Sequence, residues 1–397
     1  MRTSLRARAI ATALVALTLL TGCQPTTVME WSPFSVIQAA TPTVKELKGD
    51  SWAWSVTAIP TEHGWRLRSG SVPEAKATRF GPVVRFYGKS AEPANFHHVL
   101  FGLSPEGATR WSREIIAPDN YHGSLGPRLE VSPDGRFLAL ATQTHVLDGN
   151  GNTASGYVLL DAESGRTVRK GAVLGNLLGL ALTNSEMVIQ TSGTDFPAGL
   201  DWSPNPAAFT GPSRLTRFPL ADGKAAPKIQ NTSQWLAGAG ASTLLTSDAQ
   251  PSESSYNPYG IALTGSLTSV DLVDTEGQVS GTVTGVRNVL HNAVIERCEP
   301  TADEDADTLQ NCELYEPESG ARVSTAGLYA LQASGPTEEV VVLTRQQTGS
   351  DGRVVTREPQ SWSLGATTPS TQARPWMVNR KLGLEVHTVG VDKIKLW

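Results

Sequence analysis

The fold is indicated most clearly by residues 129–169, LEVSPDGRFLALATQTHVLDGNGNTASGYVLLDAESGRTVR, in which short apolar runs alternate with turn residues. Two of its turns are 132–135 (SPDG) and 162–165 (AESG), which combine glycine with proline or acidic residues. The runs at 137–140 and 157–160 are short, apolar and bounded by these turns, which is typical of strands rather than helices. The stretch therefore predicts four strands in up-and-down order.

The second of these turns recurs along the chain. Its glycine is found at positions 107, 165, 223, 277 and 320, at spacings of 58, 58, 54 and 43 residues, each time after a short apolar run. A glycine is expected there because a tight hairpin needs a positive φ, which is costly for residues with a Cβ. Repeats of this length built from four strands predict an all-β chain, a β-propeller of four-stranded blades. Unrelated hairpins in a β-sandwich are the alternative.

One repeat carries a more specific motif, Gly107-Ala-Thr-Arg-Trp111. This Gly-x-x-x-Trp ending resembles the repeat of the pyrroloquinoline-quinone-like and WD40-like propeller superfamily. The resemblance implies that Trp111 packs between blades, and Arg169 stands at the same place in the next repeat. It covers roughly residues 80–345 and implies a fold rather than a reaction.

The remaining segments are sufficient to complete a ring. We expect a sixth unit over 339–364, two strands in the tail 384–397 and two more in 51–71. N-terminal strands that complete the last blade would remove two exposed sheet edges. Seven blades are predicted, with six and eight as alternatives.

The N-terminal sequence predicts export to the cell envelope. Arg2, Arg6 and Arg8 precede an apolar run over 10–20, which is typical of a secretory signal and too short to span a bilayer. The run ends in Leu20-Thr21-Gly22-Cys23, which resembles the lipobox of bacterial lipoproteins. That resemblance implies cleavage before Cys23, a lipid on its sulfur, and anchoring at the extracytoplasmic side of the cell membrane. The expected parts are a signal peptide (1–22), a lipidated tether (23–45) and the propeller domain (46–397). An ordinary secreted protein with a chance cysteine is the alternative.

Charge and cysteine content limit the partners. Cleavage removes three arginines and no acidic residue, which leaves 375 residues with 30 basic against 38 acidic side chains. Basic residues form no cluster, so nucleic acid is not an expected partner. Cys298 and Cys312 are predicted to form a disulfide, since the signal directs them to an oxidising compartment. A metal site is the alternative, but no second cysteine or histidine pair lies nearby.

Long connections between the second and third strands of the repeats predict a binding face. These connections are 143–156, 191–213, 247–265 and the loop between Cys298 and Cys312, and propeller topology places them on one side. The aromatic residues among them, which we expect to bind an envelope protein or polymer, are Phe196, Trp202, Phe209, Tyr256 and Tyr259. The alternative is that these side chains only cover the ends of their own blades.

Catalytic, metal and cofactor sites are not predicted. The chain contains no G-x-S-x-G, H-E-x-x-H or phosphate-binding loop. The acidic run at 303–307 departs from a calcium loop, because Thr308 and Leu314 replace the glycine and the glutamate. The sequence thus favours a non-catalytic, lipid-anchored binding protein. The alternatives are a propeller enzyme (a quinone-dependent dehydrogenase, or a polysaccharide lyase or hydrolase with residues on separate blades) and a sensor domain.

Overall fold

The computed structural model describes residues 33–46, 58–61, 64–67, 74–89, 95–104, 109–118, 128–144, 154–192, 213–249, 260–262, 268–290, 293–299, 312–324, 329–334, 340–348, 354–363, 387–388 and 393–395. One helix lies in this part of the chain, α1 (Pro33–Ala40). The first strands are β1 (Thr43–Glu46), β2 (Ala58–Thr61), β3 (Gly64–Leu67), β4 (Glu74–Thr78), β5 (Gly81–Lys89), β6 (Asn95–Leu103), β7 (Thr109–Pro118), β8 (Arg128–Val131), β9 (Phe137–Thr144), β10 (Ala154–Asp161), β11 (Thr167–Leu174), β12 (Leu177–Leu182), β13 (Glu186–Ser192), β14 (Ser213–Pro219) and β15 (Lys228–Thr232). The later strands are β16 (Trp235–Ala239), β17 (Leu244–Ser247), β18 (Gly260–Ala262), β19 (Thr268–Val273), β20 (Val279–Leu290), β21 (Ile295–Cys298), β22 (Cys312–Tyr315), β23 (Arg322–Ser324), β24 (Tyr329–Ser334), β25 (Val340–Thr348), β26 (Val354–Ser363), β27 (His387–Thr388) and β28 (Lys393–Lys395).

The predicted all-β architecture of four-stranded antiparallel sheets is confirmed. The second sheet, β8 to β11, and the third, β12 to β15, are up-and-down meanders in sequence order. In the second sheet β9 and β10 pair from Thr144↔Ala154 to Phe137↔Asp161, around the stretch from which the fold was predicted. β10 is buried along both faces until its last residue, which is the pattern of a strand with neighbours on either side.

Successive sheets pack face to face like propeller blades. Along β9, Leu138 and Leu140 pack with the first sheet, and the intervening Ala139 and Ala141 pack with the third. The third sheet continues the stack by packing against β16, β17 and β19. Because side chains alternate across a strand, each of these sheets supplies one set of residues to each neighbour.

The first sheet has the order β1-β7-β6-β5-β4, so a fifth strand extends its outer edge. β1 runs antiparallel to β7, with Lys45 opposite Glu114 and Glu46 opposite Arg113. The expected tether, 23–45, thus overlaps a segment that packs on the domain. Ala40, at the end of α1, is fully buried against Ala154 of the second sheet.

A single long strand serves two units. The first half of β20 pairs with β19 and its second half pairs with β21, which joins the fourth and fifth units into one eight-stranded sheet. Gly285 lies at the junction with φ 74°, and a Cβ there would lie 2.6 Å from the carbonyl oxygen of Cys298. Glycine is therefore needed where the outer strand of one unit becomes the inner strand of the next.

The two ends of the chain meet in one sheet, as predicted. Its order is β2-β3-β28-β27, with Arg66 opposite Lys393 and Trp65 opposite Ile394. β24, β25 and β26 form a separate three-stranded sheet that overlaps the predicted sixth unit. The N-terminal strands thus pair with the C-terminal strands instead of leaving both exposed.

The turn glycines fulfil the prediction in part. Gly165, Gly277 and Gly320 have positive φ values of 64°, 87° and 72°. Gly107 lies outside the described residues. The prediction was wrong for Gly223, which is not in the left-handed region; a Cβ there would lie 2.5 Å from the carbonyl oxygen of Val168, so close packing explains this glycine.

Trp111 packs between two sheets as the resemblance implied. Its ring lies between Gly102 of its own sheet and Gly165 of the next, where added Cβ atoms would come within 2.1 Å and 2.5 Å of ring atoms. Its Nε1 donates a hydrogen bond of 3.1 Å to the carbonyl of Ala162. Arg169 takes over this role one repeat later, because its guanidinium donates to the carbonyl of Asp222 in the following sheet at 3.2 Å.

Candidate functional site

The sheets have two ends of different character, which we call the turn end and the loop end. Tight turns close the turn end, among them 132–136, 162–166, 183–185, 240–243 and 274–278. Successive turns are linked, since Asp134 N donates to Asn184 Oδ1 at 2.7 Å and Asn184 N donates to the carbonyl of Ala241 at 2.9 Å. The turn ends of three successive units are therefore aligned.

The long connections all leave from the loop end. Because each unit is an antiparallel meander, the connection from its second to its third strand lies opposite its tight turns. The described strand ends at these connections are Thr144 and Ala154, Ser192 and Ser213, Ser247 and Thr268, and Cys298 and Cys312. The strands thus direct four long connections to the same end of the domain.

The aromatic residues predicted to bind a partner are Phe196, Trp202, Phe209, Tyr256 and Tyr259, and all five lie outside the described residues. Their role in binding therefore stays a prediction, as does lipidation of Cys23, which also lies outside. The connection that contains Tyr256 and Tyr259 includes a strand that the sequence did not indicate. This strand, β18, pairs with the second half of β20, with Gly260 opposite Leu290.

Cys298 and Cys312 are joined by a disulfide at the base of the fourth connection. They stand opposite each other in β21 and β22, with a Cα–Cα distance of 4.0 Å. Next to them Arg297 Nη1 donates to Glu313 Oε1 at 3.1 Å. The two sulfurs are thus bonded to each other, and the strands hold both ends of the acidic segment together.

A buried polar network lies beneath the second and third connections. Gln190 Nε2 donates to Ser213 Oγ at 2.8 Å and to the carbonyl of Gln234 at 2.7 Å, and its Oε1 accepts from Leu236 N at 2.8 Å. Gln234 then donates to Asp271 Oδ2 at 2.6 Å and accepts from Thr246 Oγ1 at 2.7 Å. The network joins the third and fourth units where both connections begin, and so gives them a rigid base.

Sequence reasoning missed this network, although a signal was present. The run Gln190-Thr191-Ser192 follows the apolar residues 187–189 at the end of β13, and all three of its residues are buried. A buried polar run at the end of a strand indicates hydrogen-bond partners on a neighbouring element.

Buried ionisable groups occupy the first sheet. His97 Nδ1 lies 2.8 Å from Glu114 Oε1, and both side chains are nearly inaccessible. Burial lowers the pKa of His98 well below 6.5, and the charges of Arg85 and His97 add to this effect. His98 is therefore neutral near pH 7 and belongs to the core.

Metal-binding clusters and membrane-spanning helices are both absent from the described residues. No group of three or more His, Cys, Asp or Glu side chains there could hold a metal ion. In the same part of the chain, no helix has the length and apolar character needed to cross a bilayer.

Similarity to known proteins was found among solved structures. No protein-family model matches the chain, and no curated protein sequence matches it. The Pyrococcus horikoshii acylaminoacyl peptidase is 9% identical, with a TM-score of 0.44 over 77% of this chain and 46% of its own. The β-propeller domain of the trilobed protease from Pyrococcus furiosus is 9% identical, with a TM-score of 0.42 over 77% and 84%. A puromycin hydrolase is 11% identical, with a TM-score of 0.29 over 76% and 49%.

None of these TM-scores reaches 0.5. The chain spans about half the length of the acylaminoacyl peptidase, covering 46% of it. At such identities no activity, substrate or catalytic residue is transferred from these proteins.

Proposed function

We propose that this chain is a lipid-anchored, extracytoplasmic β-propeller that binds an envelope protein or polymer through the connections at its loop end. In this proposal binding, not catalysis, is its function, and the acylated Cys23 holds it at the membrane. The observation that carries the proposal is that four long connections leave the same end of successive units. Insertions collected at one end of a repeat protein are typical of a binding surface.

The base of this surface supports the proposal. The hydrogen bonds of Gln190 and Gln234 tie the starts of the second and third connections to each other, and the disulfide ties the ends of the fourth. A fixed base reduces the entropy lost when loops order on a partner. The aromatic residues of these connections would then act as anchors, because they bury much area with few rotatable bonds.

We also propose that the ring has seven blades. The first three sheets supply three, and the two halves of β20 divide the eight-stranded sheet into a fourth and a fifth. The sheet of β24 to β26 would be the sixth blade. The sheet that pairs β3 with β28 would be the seventh and would close the ring.

The lipid anchor is tested by metabolic labelling with a fatty acid. The wild-type chain is expected to carry the label and to sediment with membranes. Cys23→Ser is expected to lose the label and leave the membrane fraction. Labelling that persists in Cys23→Ser would contradict the lipobox interpretation.

Binding is tested by capture from the envelope fraction on immobilised protein. Trp202→Ala and Tyr259→Ala are expected to reduce capture of the species that the wild type retains. Glu163→Ala and Lys224→Ala are matched controls at exposed turn-end positions, and they are expected to leave capture unchanged. Equal loss in both sets, or a large fall in the melting temperature of Trp202→Ala, would contradict a binding role for the loop end. Measured turnover of a sugar or an alcohol by the purified domain would favour an enzyme instead.

A further inference from the structure

We propose that β15, the outer strand of the third sheet, is a dimerisation edge that pairs with β15 of a second copy of this chain. The pairing is antiparallel and two-fold symmetric about Gln230. It would join two third sheets into one continuous sheet. This surface lies away from the loop end and does not depend on the function proposed above.

The outer edge of the third sheet is open in the described part of the chain. β15 is the last strand in the order β12-β13-β14-β15 and pairs with β14 alone. Its first four residues are exposed, and Ile229 is 64% exposed. Exposed edge strands present unpaired N–H and C=O groups that favour pairing with another strand.

The outer strands of the two preceding sheets are each contacted by the N-terminal segment 33–46. In the first sheet β1 pairs with β7, so the outer strand has a partner on each side. In the second sheet Ala40 of α1 packs with Ala172 and Leu174 of the outer strand. The first sheet shows that an outer edge of this domain accepts an extended strand through backbone hydrogen bonds.

A second large apolar side chain is exposed in the next unit, near β15. Val279, the first residue of β20, is 57% exposed. It lies close to β15, because Gly277 is so near Gln230 that an added Cβ would come within 2.9 Å of Oε1. Val279 lies on the Gln230 side of the third sheet, whereas Ile229, the neighbouring residue of β15, faces the opposite side. Ile229 is therefore the apolar side chain that the proposed pairing would cover.

The sequence of β15 favours a second copy as its partner. Centred on Gln230, the antiparallel register sets Lys228 opposite Thr232 and Ile229 opposite Asn231 of the other copy. No like charges face each other, and the strand has no acidic residue that would require a basic partner. The two Ile229 side chains become diagonal neighbours on the same face, so each covers the apolar surface of the other. The edge is therefore complementary to itself.

Cysteine cross-linking tests the register directly. The two Gln230 residues would be directly opposite, and opposite residues of antiparallel strands have Cα atoms about 4.5–5.5 Å apart, within the range of a disulfide. The chain already contains such a bond between Cys298 and Cys312, which stand opposite in β21 and β22. The purified, full-length mature protein in detergent is oxidised and run on a non-reducing gel.

Gln230→Cys is expected to form a disulfide-linked dimer that a reductant reverses. Lys228→Cys is the matched control on the same exposed strand, and it should not form the disulfide-linked dimer, because the two substituted positions would be offset by four residues. Ile229→Lys, combined with Gln230→Cys, is expected to reduce the dimer at least about tenfold by setting two charges where two apolar side chains meet. Without cross-linking, sedimentation should show a dimer for the wild type and a monomer for Ile229→Lys.

Three results would overturn the proposal. They are a monomeric wild type at all concentrations, a Gln230→Cys variant that stays monomeric, and a Lys228→Cys variant that cross-links as well as Gln230→Cys. The last would mean that copies meet in another register or only by collision. Since all three positions are exposed, the variants are expected to fold, and an unchanged melting temperature verifies this.

Discussion

The packing of Trp111 against Gly165 predicts a measurable coupling between adjacent sheets. Trp111 is 6% exposed and belongs to the apolar cluster between the first and second sheets. Trp111→Ala removes a buried indole and its hydrogen bond to Ala162, so it should lower the free energy of unfolding by about 3–5 kcal/mol.

Gly165→Ala should destabilise for two separable reasons. The left-handed conformation at φ 64° costs a residue with a Cβ about 1–2 kcal/mol. The added methyl group would also lie 2.5 Å from Cδ2 of Trp111, and overpacking of this kind costs about 1–3 kcal/mol. Only the second cost depends on the indole ring.

The double variant separates these costs. With Trp111→Ala in place, the methyl group enters the space that the ring has left, so Gly165→Ala should cost only about 1–2 kcal/mol. The coupling free energy should therefore be about 1–3 kcal/mol. Gly320→Ala is the matched control, because Gly320 also has a positive φ, 72°, but a Cβ there would meet no atom within 4 Å. Its cost should be the same with and without Trp111.

Urea unfolding followed by far-UV circular dichroism measures all five variants and the wild type. If Gly165→Ala costs the same in both backgrounds, the ring of Trp111 does not pack on Gly165, and the account of how these sheets interlock is wrong. If Gly320→Ala shows the same coupling, the effect is not local to this contact.

Three further predictions follow from the described contacts. The pKa of His98 is lower in the folded chain than in the unfolded chain, so the unfolded chain binds the proton first as the pH falls. The free energy of unfolding should therefore decrease below about pH 6.5, by up to ~1.4 kcal/mol per pH unit. His98→Gln should remove this slope in urea unfolding at several pH values, and an unchanged slope would contradict the prediction. Glu318 accepts hydrogen bonds from the backbone N–H groups of Ala241, Ser242 and Thr243 at 2.7–3.0 Å. Because Glu318 is exposed to solvent, Glu318→Ala should lower the free energy of unfolding by no more than about 1 kcal/mol in urea unfolding. A variant as stable as the wild type would show that these bonds do not stabilise the fold. Cys298→Ser should speed proteolysis within 299–311 severalfold and lower overall stability by no more than about 3 kcal/mol; cleavage at the wild-type rate would show that the disulfide does not restrain this segment.

Regular features of the fold could be predicted from sequence because they depend on short-range patterns. The turn at 162–165 and the flanking apolar runs predicted β10 and β11, since alternation and glycine position determine strands and tight hairpins locally. Pairing of the two chain ends was also predictable, because only those segments were left to complete a sheet.

Other features depend on contacts between distant segments. Gly223 is needed because the carbonyl of Val168 approaches it, and no pattern near position 223 records that neighbour. Gly285 lies within a strand, and the need for a glycine with positive φ there follows only from the pairing of β20 with strands of two units. The same limit applies to the site: the polar run at Gln190 indicates that it has hydrogen-bond partners, but not that these are Ser213 and the carbonyl of Gln234.

Site-specific photo-cross-linking from the loop end is the most direct test of whether this end binds an envelope partner. A photoreactive phenylalanine analogue is placed at Trp202, Phe209 or Tyr259 in the lipidated chain in its own envelope, and at Glu163 or Lys224 of the turn end for comparison. We expect the loop-end positions to cross-link to one shared envelope species and the turn-end positions not to do so. Cross-links to that species from the turn end alone, or the same products from both ends, would contradict a binding surface at the loop end.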